Sequence, residues 1–173
     1  MKIRVAGIKK ESLIDGPGIS FVIFTQGCLQ NCPGCHNPES QPLDGGRELS
    51  LKELIEDISS ASGVDTIVFS GGEPFLQAGV LGALGGWAQE NDFRVVTYSG
   101  YTFEYLMDEA RKNEEYAELL KVTDILIDGA YKEEEKDVNL PYRGSKNQRV
   151  LDAKLSWQQD KAVPCEKWDH IGN

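Results

Sequence analysis

Hydrophobic residues in this chain follow two habits: short dense runs, and positions that recur every three or four residues. Ile19-Ser-Phe-Val-Ile-Phe-Thr-Gln26 is dense in β-branched and aromatic side chains and stops at Gly27, which predicts a buried strand. Asp65-Thr-Ile-Val-Phe-Ser70, Phe93 to Tyr98 and Asp124-Ile-Leu-Ile-Asp128 predict three more, and a short last strand falls near Gln148 to Leu151. Between the first two runs, Leu51, Leu54, Ile55 and Ile58 share one helical face behind Ser50 and Glu53, whose spacing is that of a capping box. That helix is expected to end near Gly63. Residues 76 to 90 predict a glycine-weakened helix, Phe103, Leu106, Met107 and Ala110 a third, and 114 to 121 a further helical piece.

Strand and helix therefore alternate with connections too long for hairpins, which makes the class α/β: a mostly parallel sheet with helices packed outside it. Ligands of such sheets bind at the carboxyl ends of the strands. Four unusual turns fall there: the cysteine-bearing segment after Gly27, Gly71-Gly72-Glu73-Pro74, Ser99-Gly100 and Asp128-Gly129. From Leu29 to Gly46 the prolines, glycines and Asn37 exclude regular structure and predict a long functional loop. Lys132-Glu-Glu-Glu-Lys-Asp137 reads as a solvated surface loop. A chain of 173 residues closes one core, so a single domain over 1–173 is expected. Its tail from Asp152 to Asn173 resists assignment: Trp157 and Trp168 either dock on the sheet or belong to a partly ordered end.

Charge then narrows the function classes by exclusion. A formal net charge of −10 opposes a polyanionic partner, because nucleic-acid binding draws its affinity from Lys and Arg. No stretch approaches the roughly 18 unbroken apolar residues of a membrane span, and charges interrupt the N-terminus where a secretory signal needs its apolar core. The expected location is the cytoplasm, with neither nucleic acid nor membrane as partner. Thiols stay reduced there, so three cysteines crowded between positions 28 and 35 read as metal ligands or redox groups rather than as a disulfide framework. Cys165 stands alone and reads as a small buried hydrophobe. Arg143, Lys146 and Arg149 form a basic cluster too small for a nucleic-acid face, but sufficient for a carboxylate, one phosphate or an acidic patch on a partner.

Cys28, Cys32 and Cys35 have the spacing Cys-x3-Cys-x2-Cys, and three thiolates on one tight loop can hold three corners of an iron-sulfur cube. The fourth iron is left open for a substrate. Structural zinc is the competing reading; His36 follows Cys35 too closely to complete a tetrahedron with it, so zinc requires Cys165 or His170. A simple iron-sulfur electron carrier is another. In Gly71-Gly72-Glu73-Pro74 the paired glycines let backbone approach a ligand, and the carboxylate can accept hydrogen bonds from an amino group. The turn lacks the Gly-Lys-Ser/Thr ending of a phosphate loop.

Together the cysteine spacing and the Gly-Gly-Glu-Pro turn resemble the radical S-adenosylmethionine enzymes. Asp15-Gly16-Pro17-Gly18, Gln26-Gly27-Cys28 and Cys35-His36-Asn37-Pro38-Glu39 narrow the resemblance to the activating enzymes of glycyl-radical proteins. Pro33-Gly34-Cys35-His36-Asn37-Pro38, Tyr98-Ser99-Gly100-Tyr101-Thr102, Asp128-Gly129 and Arg143-Gly144-Ser145-Lys146-Asn147-Gln148-Arg149 narrow it again, to those acting on anaerobic ribonucleoside-triphosphate reductase. The likeness runs from about residue 12 to 151. It implies a small open, partial parallel β/α barrel, with Cys28, Cys32 and Cys35 holding a [4Fe-4S] cluster. It also implies that S-adenosylmethionine chelates the open iron while Gly71, Gly72 and Glu73 hold its amine. Gly34 stands where the wider family often has an aromatic residue near the adenine, which leaves adenine contacts to backbone or to His36. Ser99, Asp128 and Asn147 are further candidates for cofactor contact. The implied reaction takes one electron from a low-potential donor, cleaves the sulfonium to methionine and a 5′-deoxyadenosyl radical, and removes a hydrogen atom from a glycine of the partner reductase. A barrel of so few residues is better suited to lean its rim on a protein than to enclose a small substrate.

Overall fold

The computed structural model describes residues 1–166, and its centre is a seven-stranded sheet. In chain order the elements are β1 (Lys2–Ser12), β2 (Ser20–Thr25), β3 (Arg47–Ser50), α1 (Leu51–Ser60), β4 (Thr66–Gly71), α2 (Ala78–Glu90) and β5 (Arg94–Ser99), followed by α3 (Phe103–Ala110), α4 (Glu114–Val122), β6 (Ile125–Asp128), β7 (Arg149–Asp152) and α5 (Ala153–Gln159). The strands lie in the order β3-β1-β2-β4-β5-β6-β7, and β2, β4, β5 and β6 form the expected parallel centre. Antiparallel strands flank it on both sides, β1 and β3 on one and β7 on the other. β3 and β7 do not pair, so the sheet stays open.

Two strands escaped the sequence reading. β1 carries buried Ile3 and Val5 among charged residues that spend its other positions in solvent, which dilutes the apolar signal of an edge strand. β3, Arg-Glu-Leu-Ser, has no strand pattern of its own and exists because β1 offers it a hydrogen-bonding edge, Lys2 to Val5 against Ser50 to Arg47. The described part of the tail, residues 152–166, begins in regular structure. Asp152 caps α5 by accepting the Leu155 N–H at 2.9 Å, Trp157 packs on the core with the Lys121 ammonium 5.2 Å above its ring, and Cys165 N–H bonds back to Val150. Trp168 and His170 lie outside the described residues.

Alternation along each strand divides the core. Phe21, Ile23, Ile67, Phe69, Val95 and Leu126 face the helices, where Leu54, Ile58, Leu81, Leu84, Leu106 and Leu119 meet them. Each such side chain stabilises the fold by about 1.5–3 kcal/mol on burial. The opposite, inner face carries Val22, Val68, Val96, Ile127 and Val150, with Cys165 beside them. The loop between β1 and β2 folds across this face: Thr66 Oγ1 donates to Pro17 O at 2.7 Å and the Tyr98 hydroxyl to Asp15 O at 3.1 Å. Gly16 sits so close that a Cβ there would stand 2.9 Å from Val68. Toward the carboxyl ends of the strands the same face is left open, lined by Phe24, Ser70 and Tyr98. Among the described residues no helix is long and apolar enough to cross a membrane.

Candidate functional site

β2 delivers the cysteine loop to this opening. Gly27 turns the chain with φ +98, Gly27 N–H bonds to Ser40 O at 2.8 Å and Cys28 N–H to Gln41 O at 3.0 Å, so the loop leaves the strand and returns alongside itself. The buried Gln26 amide closes its neck by donating to Glu39 O and Pro42 O. Inside, Cys35 N–H bonds to Cys32 O at 3.2 Å. Cys28, Cys32 and Cys35 are free, half-buried, and line one cavity of about 490 Å³. Burial holds the Cys28 and Cys32 thiols above the ordinary thiol range, opposed by the backbone N–H groups of Gln30 and Asn31 at Cys28 and of Tyr131 at Cys32.

This donor set fits a cluster better than a single ion. Among the described residues no three His, Cys, Asp or Glu side chains converge on one metal position, whereas a cubane gives each thiolate its own iron and so needs wider spacing. Cys165, one of the two groups the zinc reading required, sits at the other end of the sheet, buried among the inner-face valines.

The Gly-Gly-Glu-Pro turn is pressed against this loop. Gly72 N–H bonds to Thr25 O and Glu73 N–H to Gly27 O, both at 2.8 Å. A Cβ on Gly72 would lie 2.3 Å from Gly27 O, and one on Gly71, whose φ is +94, would lie 2.6 Å from Thr25 N; both positions demand glycine. Glu73 is 0% exposed and forms part of the cavity wall. Its Oε1 accepts from Ser99 Oγ at 3.0 Å and Phe75 N–H at 3.1 Å, and its Oε2 from Gly100 N–H at 2.8 Å. Burial pushes its pKa up to about 7 against those three hydrogen bonds. Gly100 is in turn covered by Gln30, whose Cγ would stand 2.8 Å from a Cβ there, so the turns after β2, β4 and β5 interlock.

Of the sequence candidates, Cys28, Cys32, Cys35, His36, Gly71, Gly72, Glu73 and Ser99 line the cavity together. Three others do not. Gly34, with φ +70, faces the Glu133 carboxyl instead. Asp128 is buried beneath Arg149, which holds both of its oxygens, and it also accepts the Phe103 N–H at 2.7 Å. Asn147 donates to Ala130 O at 2.8 Å, while its Oδ1 is buried without a hydrogen-bond partner. Nor do the basic residues form an open patch: Arg149 is held by Asp128 and Glu104, Lys146 stands 3.9 Å from Asp137, and Arg143 turns into the cavity wall. Residues that sequence reasoning missed as site walls include Tyr98, Tyr131, Tyr142 and Gln148. Tyr98 was legible from strand alternation. Tyr142, with φ +58, and Tyr131 come from the loop after β6, where no periodicity points.

Residues 14–151 match the family described as "4Fe-4S single cluster domain". The pyruvate formate-lyase-activating enzyme of Clostridium pasteurianum is 33% identical over 133 residues, covering 72% of this chain and 50% of that protein. The enzyme of the same name from Staphylococcus aureus (strain USA300) is 32% identical over 159 residues, covering 87% of this chain and 61% of that one. The chain thus spans about half to three fifths of the length of these curated relatives. QueE from Escherichia coli, a solved structure, is similar at a TM-score of 0.47 and 18% identity over 59% of this chain and 54% of that one, too slight a likeness to carry an argument. The family match begins at Ile14, on the loop beneath Tyr98, and ends at Leu151 in the last strand, taking in the turns after β2, β4, β5 and β6 that wall the cavity. The chain accordingly belongs to the 4Fe-4S single cluster domain family of the radical S-adenosylmethionine enzymes, with a [4Fe-4S] cluster and S-adenosylmethionine as cofactors.

Proposed function

We propose that this chain, acting as one domain in the cytoplasm, activates anaerobic ribonucleoside-triphosphate reductase by generating a glycyl radical on it. The observation that carries the reading is the hydrogen bond from Glu73 N–H to Gly27 O, which fixes the Gly-Gly-Glu-Pro turn beside Cys28 on one cavity. When bound and given one electron from a low-potential donor, the cluster and S-adenosylmethionine would supply methionine and a 5′-deoxyadenosyl radical able to take one hydrogen atom from a partner glycine. The protein's part is chelation, alignment and exclusion of water. Cys28, Cys32 and Cys35 would hold the cluster; Glu73 and the Gly71-Gly72 backbone would receive the cofactor amine; Ser99 keeps the Glu73 carboxylate aimed. No side chain is asked to move a proton.

For the partner, the support is the Arg143-Gly144-Ser145-Lys146-Asn147-Gln148-Arg149 segment, which builds a wall of the cavity through Gln148. The names of the curated relatives favour a second reading, activation of pyruvate formate-lyase. Reduced, cluster-loaded protein mixed anaerobically with S-adenosylmethionine and either partner separates the two. The reading expects a glycyl-type electron paramagnetic resonance signal on the reductase; a signal on the formate-lyase alone refutes it.

A further inference from the structure

The loop from Gly129 to Gln148 leaves β6 at the cavity rim, returns to start β7, and on the way lies against the cysteine loop in three places. The Tyr131 ring stands 4.7 Å from the His36 ring, tilted by 48°. Tyr131 and Cys32 line the same cavity. A Cβ on Gly34 would meet the Glu133 carboxyl at 2.8 Å, and a Cβ on Gly144 would stand 3.0 Å from Tyr131 and 3.1 Å from His36. Gly144 therefore admits the ring pair beneath the returning limb of the loop. The loop is also fastened internally. Gln148 Oε1 accepts the N–H groups of Gly144 and Ser145 while its amide donates to Gly129 O; Lys132 N–H donates to Ser145 Oγ, and Lys146 N–H to Glu135 O. Nothing in the cysteine loop's own closure requires these contacts, since Gln26, Ser40 and Gln41 already secure its neck.

We propose that Tyr131 is a positioning residue for the cluster: packed on His36 and sharing the cavity wall with Cys32, it fixes that side of the cysteine loop and shields the Cys32 corner from water. The proposal rests on the cluster reading given above. Its physical content lies outside the ligand set, where partners of a metal ligand tune affinity and potential. A cluster on three thiolates becomes more negative when reduced, and water stabilises the more charged state. Opening the Cys32 corner therefore raises the reduction potential and speeds loss of iron.

The test uses the full chain, reconstituted with iron and sulfide and kept free of S-adenosylmethionine. In Tyr131→Ala and in His36→Ala, iron release to a chelator is expected to quicken about ten-fold, with a higher midpoint potential and an altered resonance spectrum of the reduced cluster. Tyr131→Phe, which keeps the ring, retains wild-type values, as does Val138→Ala at an exposed position of the loop. The double variant Tyr131→Ala/His36→Ala releases iron no faster than the faster single variant, because both remove one contact. Unchanged release and potential in both single variants, or additive effects in the double, overturn the proposal. Should circular dichroism show Tyr131→Ala unfolded, His36→Ala against the Tyr131→Phe control decides it in the same way. A wild type that takes up no iron overturns the cluster reading itself, and this proposal with it.

Discussion

Glu73 holds its carboxylate among three donors, and burial still outweighs them, leaving a pKa of about 7. An acid whose pKa rises on folding binds its proton more tightly in the native state. Between about pH 4.5 and 7 the folded chain keeps a proton that the unfolded chain has lost, so this group's contribution to stability falls as pH rises through that window and is flat above it. Denaturant midpoints measured across the window should fall with pH in the wild type and fall less in Glu73→Ala. A ligand amine donating to Glu73 favours the ionised form, so S-adenosylmethionine affinity is expected to rise with pH up to about 7 and then level. Glu73→Ala should keep the cluster and bind the cofactor about ten-fold or more weakly. Equal affinity in an intact cluster protein would make Glu73 a turn residue only. At the thiols, alanine at Cys28, Cys32 or Cys35 should abolish iron incorporation, and Cys165→Ala should leave it, because Cys165 packs on the inner-face valines. Iron loss in Cys165→Ala would contradict the three-ligand site. That the cysteines and the Gly-Gly-Glu-Pro turn meet on one cavity was legible in the sequence, because both are marked by local spacing at the ends of strands. That Gly34, Asp128 and Asn147 stand outside its lining was not legible, since their surroundings are set by Glu133, Arg149 and Ala130, none of which is announced by a neighbouring residue.

Among the elements, α2 shows how a glycine-rich helix can be read correctly as helix and still be misjudged as merely weak. A Cβ on Gly85 would lie 2.5 Å from Val122 Cγ2, so this glycine is what lets α2 approach α4. Nothing lies within 4 Å of a Cβ built on Gly86. Gly85→Ala should therefore destabilise by about 1–3 kcal/mol through overpacking, and Gly86→Ala should stabilise by about 0.5–1 kcal/mol through helix propensity and chain entropy. Urea midpoints of the two variants moving in the same direction would contradict this packing. The parallel strands β2, β4, β5 and β6 were legible from dense apolar runs, because both of their faces are buried. β1 and β3 were not, as an edge strand is made by the backbone it pairs with as much as by its own residues. The loop after β6 was read as a solvated charge run only from Lys132 to Asp137, which holds for its exposed glutamates. Its cavity-facing residues, Tyr131 and Tyr142, fall outside any period a strand or helix would impose.

Across the whole molecule, every functional turn issues from one rim of one sheet, and the hydrogen bonds among the turns after β2, β4 and β5 make them a unit. The rim could be anticipated from strand order alone, because parallel strands put their following turns on the same side. Its closure could not, since Tyr131 and Tyr142 reach the cavity from more than a hundred residues beyond Gly27. The central claim is that this rim cleaves S-adenosylmethionine reductively. Its most direct test is anaerobic reconstitution of the chain with iron and sulfide, reduction, addition of S-adenosylmethionine, and assay of the products. The account predicts methionine and 5′-deoxyadenosine in equal amounts, dependent on reductant and absent from Cys32→Ala; a protein that carries a reduced [4Fe-4S] cluster yet forms neither product would contradict it.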